Sequence, residues 1–193
     1  VDARMRGPGQ IDARANGTVA QDMSNSNLAI TGSAQLGLAN AFISPLHPQG
    51  GLRFDLRMQG RPGLDALSGT VTASQIRFVE PATGVVLTGG QANVRLAGGQ
   101  ATIDARSGVQ AGGSVAARGT VGLTAPFPAN LTIDVNGAVF RDPNLYTTTA
   151  NGRIAITGPM TGGGLIAGDI GLSGTEIRVP TSLGGSVAIP EHL

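Results

Sequence analysis

The sequence contains no cysteine, no lysine and no tryptophan, and only one tyrosine and five phenylalanines among 193 residues. Without cysteine, disulfides, thiolate catalysis and cysteine-held metals are excluded. Charge is also scarce. Charged side chains make up 13% of the chain, and 13 basic residues, all arginine, against 12 acidic ones leave a net charge of +1, a balance that argues against an electrostatic nucleic-acid binder. Residues 23 to 52 carry no charge at all. That stretch is broken by Asn, Gln, Ser, Pro and Gly, which a membrane-crossing helix of about 20 apolar residues does not tolerate. The N-terminus has no apolar run of the kind a signal peptide needs.

Glycine is abundant instead: 31 of 193 residues, about 16 per cent against a background of about 7. A helix-rich protein is improbable on that composition. The dominant pattern is an alternation of period two, which puts successive side chains on opposite faces of an extended strand. Leu52, Phe54, Leu56 and Met58 alternate with Arg53, Asp55, Arg57 and Gln59. The same period runs through Leu28, Ile30, Gly32, Ala34, Leu36 and Leu38, and returns at Ala92, Val94 and Leu96, at Ala101, Ile103 and Ala105, at Leu131, Ile133 and Val135, and at Ile154 and Ile156.

Turn-forming pairs punctuate these runs: Gly7-Pro8-Gly9, Asn16-Gly17, Gly50-Gly51, Gly89-Gly90, Gly98-Gly99, Gly112-Gly113, Asn136-Gly137, Asn151-Gly152 and Gly184-Gly185. Each is read as a hairpin joining antiparallel neighbours. A short helix or turn is expected at Leu38 to Ser44, ahead of Pro45 and Pro48. Strand plus turn at about 11 to 12 residues gives on the order of 16 strands, stacked about 4.8 Å apart into an object up to roughly 75 Å long. No composition break marks a linker, so residues 1–193 are expected to form one segment, opening mid-strand like a piece of a longer protein. The fold class expected is all-β: an elongated, curled, antiparallel-rich sheet.

The apolar positions hold mostly Ala, Val, Leu and Ile, short side chains for filling the roughly 10 Å between stacked sheets. Two outcomes follow. Either small residues pack closely in a closed sandwich or solenoid, a structural rod of a surface protein with no transported ligand, or the sheet keeps an open apolar surface that takes a guest. In the second case the concave groove is lined by Leu52, Phe54, Leu56, Met58, Val94, Leu96, Ile103, Leu131, Ile133, Val135, Ile154 and Ile156. A membrane barrel fits less well, since it needs aromatic girdles that this sequence does not contain.

No catalytic constellation accompanies the pattern, and an enzyme is not expected. His47 and His192 have no second histidine or carboxylate at ligand spacing, so no metal is expected. Most carboxylates stand beside arginines on a polar face, as Asp55 does between Arg53 and Arg57, Asp104 near Arg106, and Glu176 near Arg178. Gly162-Gly163-Gly164 is read as a hairpin loop, since no helical pattern follows it to supply the phosphate-binding dipole of a dinucleotide site. No cofactor is expected.

Between residues 112 and 180 the order of elements is more specific. Gly112-Gly113 leads into Ser114 to Leu123, then Pro126 to Pro128, Leu131-Thr132-Ile133-Asp134-Val135 and Arg141-Asp142-Pro143-Asn144-Leu145-Tyr146. Asn151-Gly152-Arg153-Ile154-Ala155-Ile156-Thr157-Gly158, Leu165 to Leu172 and Thr175-Glu176-Ile177-Arg178-Val179-Pro180 complete it. This stretch resembles the C-terminal domain of the TamB family, the inner-membrane subunit of the translocation and assembly module, related to AsmA-like bridge proteins. Leu28 to Leu36, Pro45 to Gly60 and Leu67 to Leu96 are similar in kind to the preceding repeats.

The resemblance implies a β-taco with an apolar interior, set in the periplasm of a Gram-negative bacterium. It implies a tether to the inner membrane through an N-terminal helix that this sequence does not include. It implies a TamA-like outer-membrane barrel as partner, phospholipid acyl chains or unfolded outer-membrane protein strands as cargo, and a role in outer-membrane protein assembly, autotransporter secretion and phospholipid transport.

Overall fold

The computed structural model describes residues 1–7, 10–37, 48–80, 84–142 and 145–177. They form eleven strands: β1 (Asp2–Gly7), β2 (Ile11–Val19), β3 (Ser26–Gln35), β4 (Gln49–Gly60), β5 (Leu67–Glu80), β6 (Val85–Ala97), β7 (Gln100–Val109), β8 (Ser114–Gly122), β9 (Pro128–Asp142), β10 (Tyr146–Pro159) and β11 (Leu165–Ile177). All eleven join one antiparallel sheet in chain order, β1 to β11, and β1 does not pair with β11. The all-β, antiparallel expectation therefore holds, as an open, curled or elongated sheet. Strands pack against their sequence neighbours rather than against a second layer. Among the described residues neither a sandwich nor a closed solenoid is present.

Among the described residues the strand number is lower than the sequence pattern predicts, and the reason is local. Asn16-Gly17, Gly50-Gly51, Gly89-Gly90, Asn136-Gly137 and Asn151-Gly152 are not turns but lie inside β2, β4, β6, β9 and β10. A tight two-residue hairpin turn needs a left-handed φ of about +60° at its first central residue, and in the type I′ form at both. Gly17 (φ 141°) and Gly152 (φ 158°) instead take extended conformations reached at positive φ, and stay in register opposite Leu28 and Ile170. Gly98-Gly99 does meet the turn requirement, with φ of 57° and 72°, and joins β6 to β7 directly. Gly112-Gly113 lies in the β7–β8 connection and residues 162–164 in the β10–β11 connection, as expected. Fewer turns mean longer strands, up to the 15 residues of β9, and eleven strands extend about 48 Å across the sheet at about 4.8 Å spacing. The helix or turn expected at Leu38 to Ser44, the Gly184-Gly185 turn and both histidines lie outside the described residues.

Irregularities cluster toward one end of the strands. Pairing shifts between Gln49 and Gly51 in β4, between Ala73 and Ile76 and again before Phe78 in β5, between Thr88 and Gln91 in β6, and twice in β10. Such bulges bend a strand and increase its twist. The Asn151 carboxamide oxygen accepts the Gly137 N–H at 2.7 Å, fixing the β9 irregularity to its neighbour. At this end Val109, Val135, Ala138 and Ala150 are buried, and Leu87, Val115, Ile133 and Phe140 pack on them. It is a small core: no large side chain among the described residues is fully buried.

Candidate functional site

Residues directly opposite one another in an antiparallel pair share a face, so the register settles where each candidate groove residue stands. One row runs Met5, Ala13, Gly32, Phe54, Val71, Val94, Ile103, Gly119, Leu131, Ile156, Ile166, crossing all eleven strands without a polar side chain. A second row links Ile30, Leu56, Gly69, Leu96, Ala101, Val121 and Ala129. A third links Ala34, Leu52, Ala73, Ala92, Ala105, Ala117, Ile133, Ile154 and Gly168. Met58 stands between Leu28 and Leu67, and Val135 between Val115 and Gly152. Every candidate groove residue thus lies on the same face of one continuous sheet.

That face is only partly covered. Leu96 and Val135 are buried, at 9% and 8% exposure, and the other ten candidates are half-buried. At the β11 margin the covering ends: Ile166 is 71% exposed and Leu172 61%. Short side chains explain the partial burial. Glycines and alanines stand opposite larger residues along every row, so each row is continuous in chemistry but shallow in height.

The opposite face is polar. The row Thr31, Asp55, Thr70, Arg95, Thr102, Thr120, Asn130 is register-matched across β3 to β9. Ion pairs on this face include Arg4–Asp12 at 2.8 Å, Arg6–Asp12 at 3.7 Å, Arg118–Asp104 at 3.6 Å and Arg153–Asp134 at 2.6 Å. Arg4 donates from Nε and Nη2 to the two oxygens of Asp12. This fork holds the Asp12 carboxyl below its ordinary value and raises the Arg4 guanidinium.

Two recesses open on the polar side, a location not foreseen from the alternation. One, of about 640 Å³, lies between β5, β6 and β7; the other, of about 610 Å³, reaches from β3 to β5. Both adjoin the bulges of β4, β5 and β6, where Gln75 takes a φ of 53°, uncommon for a residue with a side chain. The only hint in the sequence is the break in alternation at Ser74-Gln75 and Gly89-Gly90.

Among the described residues no group of three or more His, Asp or Glu side chains is placed to hold a metal ion, and no helix is long and apolar enough to cross a membrane. No protein-family model matches the chain, and no curated protein or solved structure is significantly similar to it.

Proposed function

We propose that the chain is a TamB-like, periplasm-spanning segment whose apolar face receives guest acyl chains or client β-strands on their way to the outer membrane. The observation that carries the reading is the unbroken apolar row from Met5 to Ile166, exposed at its two ends and half-buried between them, with no second layer packed against it among the described residues. An exposed apolar surface of that extent ordinarily belongs to a binding site. In this reading the sheet curls around the apolar face, which then serves as the groove. Each acyl methylene removed from water contributes about 0.8 kcal/mol, so about ten of them give about 8 kcal/mol before ordering costs, enough to hold a chain without a headgroup pocket. Client strands are the second cargo of the same face. A TamA-like barrel as receiver and an inner-membrane tether complete the proposal.

The test is displacement of a fluorescent fatty acid from the purified protein, with mass spectrometry of co-purifying lipid. Leu56→Asp and Ile133→Arg are expected to abolish fatty-acid binding while circular dichroism stays that of a sheet. Variants that fold and still bind fatty acid as the parent does overturn the reading.

A further inference from the structure

The two recesses on the polar face form a single trough, because Ser74 lines both. The trough crosses β3 to β7, and each of the four strands β4 to β7 contributes one arginine to its lining: Arg53, Arg77, Arg95 and Arg106. None of the four belongs to an ion pair among the described residues. Arg106 donates to the Gln91 carboxamide oxygen at 3.0 Å. Asp104 is the one carboxylate in the lining, and it is already engaged by Arg118, outside the trough, at 3.6 Å. The lining thus holds four guanidiniums against one carboxylate in a chain whose net charge is +1. Positive charge has been gathered here, not inherited from an overall basic composition.

The other polar groups of the lining are hydroxyls and carboxamides, among them Thr70, Thr72, Thr102 and Asn93, and Ala34, Leu52, Ala73 and Ala92 line it as well. No aromatic side chain lines either recess. The bulges beside it are what make the polar side concave, since they bend β4, β5 and β6 where the two recesses meet.

We propose that this trough binds a linear acidic polysaccharide, a sugar chain bearing carboxylates, laid across the strands. Three features favour that ligand. Arginine presents a planar donor fork matched to carboxylate oxygens. The register staggers the four arginines, Arg95 one row to one side of Arg53, Arg106 one row to the other and Arg77 a further row beyond, so the cations are spread over a patch that a chain of several sugars spans. Threonine hydroxyls and carboxamides both donate and accept, as sugar hydroxyls require. Single-stranded nucleic acid, the competing polyanion, depends on aromatic stacking platforms that this trough lacks. The inference concerns the face opposite the apolar rows and stands whether or not those rows hold lipid.

The experiment is calorimetric titration of the full chain with oligogalacturonate, with dextran oligomers of matched length and with a single-stranded oligonucleotide. Amide chemical shifts are followed in parallel. Saturable binding of oligogalacturonate but not dextran is expected, with shift changes confined to the polar side of β3 to β7 and binding at least about ten-fold tighter than the oligonucleotide's. Arg77→Gln and Arg95→Gln should each weaken it by about ten-fold or more. Arg14→Gln and Arg57→Gln, on the same face outside the trough, should change it by less than about two-fold. Absence of saturable oligogalacturonate binding overturns the proposal. So does an oligonucleotide that binds as tightly, an equal loss in the control variants, or shift changes mapping elsewhere on the native chain. The shift map needs no variant, so it decides the matter even where a substitution impairs folding.

Discussion

The ring of Phe54 occupies the place where a side chain at Gly32 would stand. A β-carbon built on Gly32 would lie 2.7 Å from Phe54 Cζ, 2.6 Å from the Asp12 carbonyl oxygen and 2.9 Å from Ala13 Cα. The same pairing of glycine with a large neighbour recurs at Gly69 opposite Leu56, Gly119 opposite Leu131 and Gly168 opposite Ile154. A missing β-carbon in a strand marks a bend or a close approach of another backbone. Here the large partner covers the gap that the glycine leaves.

Gly32→Ala is therefore expected to destabilise the protein by about 1–3 kcal/mol, since two of the three clashes are with backbone that cannot swing aside. Gly51 is the control: nothing lies within 4 Å of its would-be β-carbon. Gly51→Ala is expected to be neutral or to stabilise by up to about 1 kcal/mol through the unfolded chain. Urea denaturation of both variants against the parent measures the difference.

Acid sensitivity has a definite sign at two carboxylates. Asp12 is lowered first by its hydrogen bonds from Arg4, and Asp22 by those from the Ser24 hydroxyl and N–H. A group whose folded value is depressed contributes stability above its unfolded value, about 3.9 for aspartate, and loses it as the pH falls through the folded value. NMR titration should show both carboxyls protonating below the ordinary aspartate range, and Arg4→Gln should return Asp12 toward that range while leaving Asp22 unmoved.

The small core and the open face should answer differently to the same insult. Val109, 7% exposed, packs in the cluster with Val135, Ala138 and Ala150. Val94 stands half-buried in the long apolar row. Val109→Asp buries a carboxylate without a partner, whereas Val94→Asp can keep its carboxylate in water, so the first should cost about 2 kcal/mol or more beyond the second. Denaturation midpoints of the two variants provide the comparison.

Opening of the sheet should proceed from β11. Every residue of that strand is exposed, while β9 and β10 carry the buried Val135, Ala138 and Ala150. Few buried contacts mean a low local opening free energy. Amide hydrogen exchange is expected to be fastest in β11 and slowest in β9 and β10 around those residues.

The alternation at Leu52, Phe54, Leu56 and Met58 made the strands and their two faces legible, because side-chain direction in a strand depends on nothing but position parity. It also placed every candidate groove residue on one side, since hairpin pairing of neighbours carries that parity from strand to strand. Asn151-Gly152 misled for a complementary reason: glycine at φ 158° continues a strand as readily as it turns one, and the dipeptide does not say which. The polar trough was hidden because it depends on where the bulges at Ser74-Gln75 and Gly89-Gly90 bend the sheet. A break in alternation reveals that something irregular happens there, not which side becomes hollow.

Pairing of each strand solely with the one before and after it in the chain has an architectural corollary. Removing or duplicating a hairpin such as β1 and β2 leaves the pairing of the other strands as it is, whereas removing β6 and β7 with their Gly98-Gly99 turn also takes Leu87 and Val109 out of the small core. Reach then becomes a quantity that can be lengthened or trimmed by whole hairpins, much as in stacked-repeat proteins, and folding can proceed by closing short loops one after another.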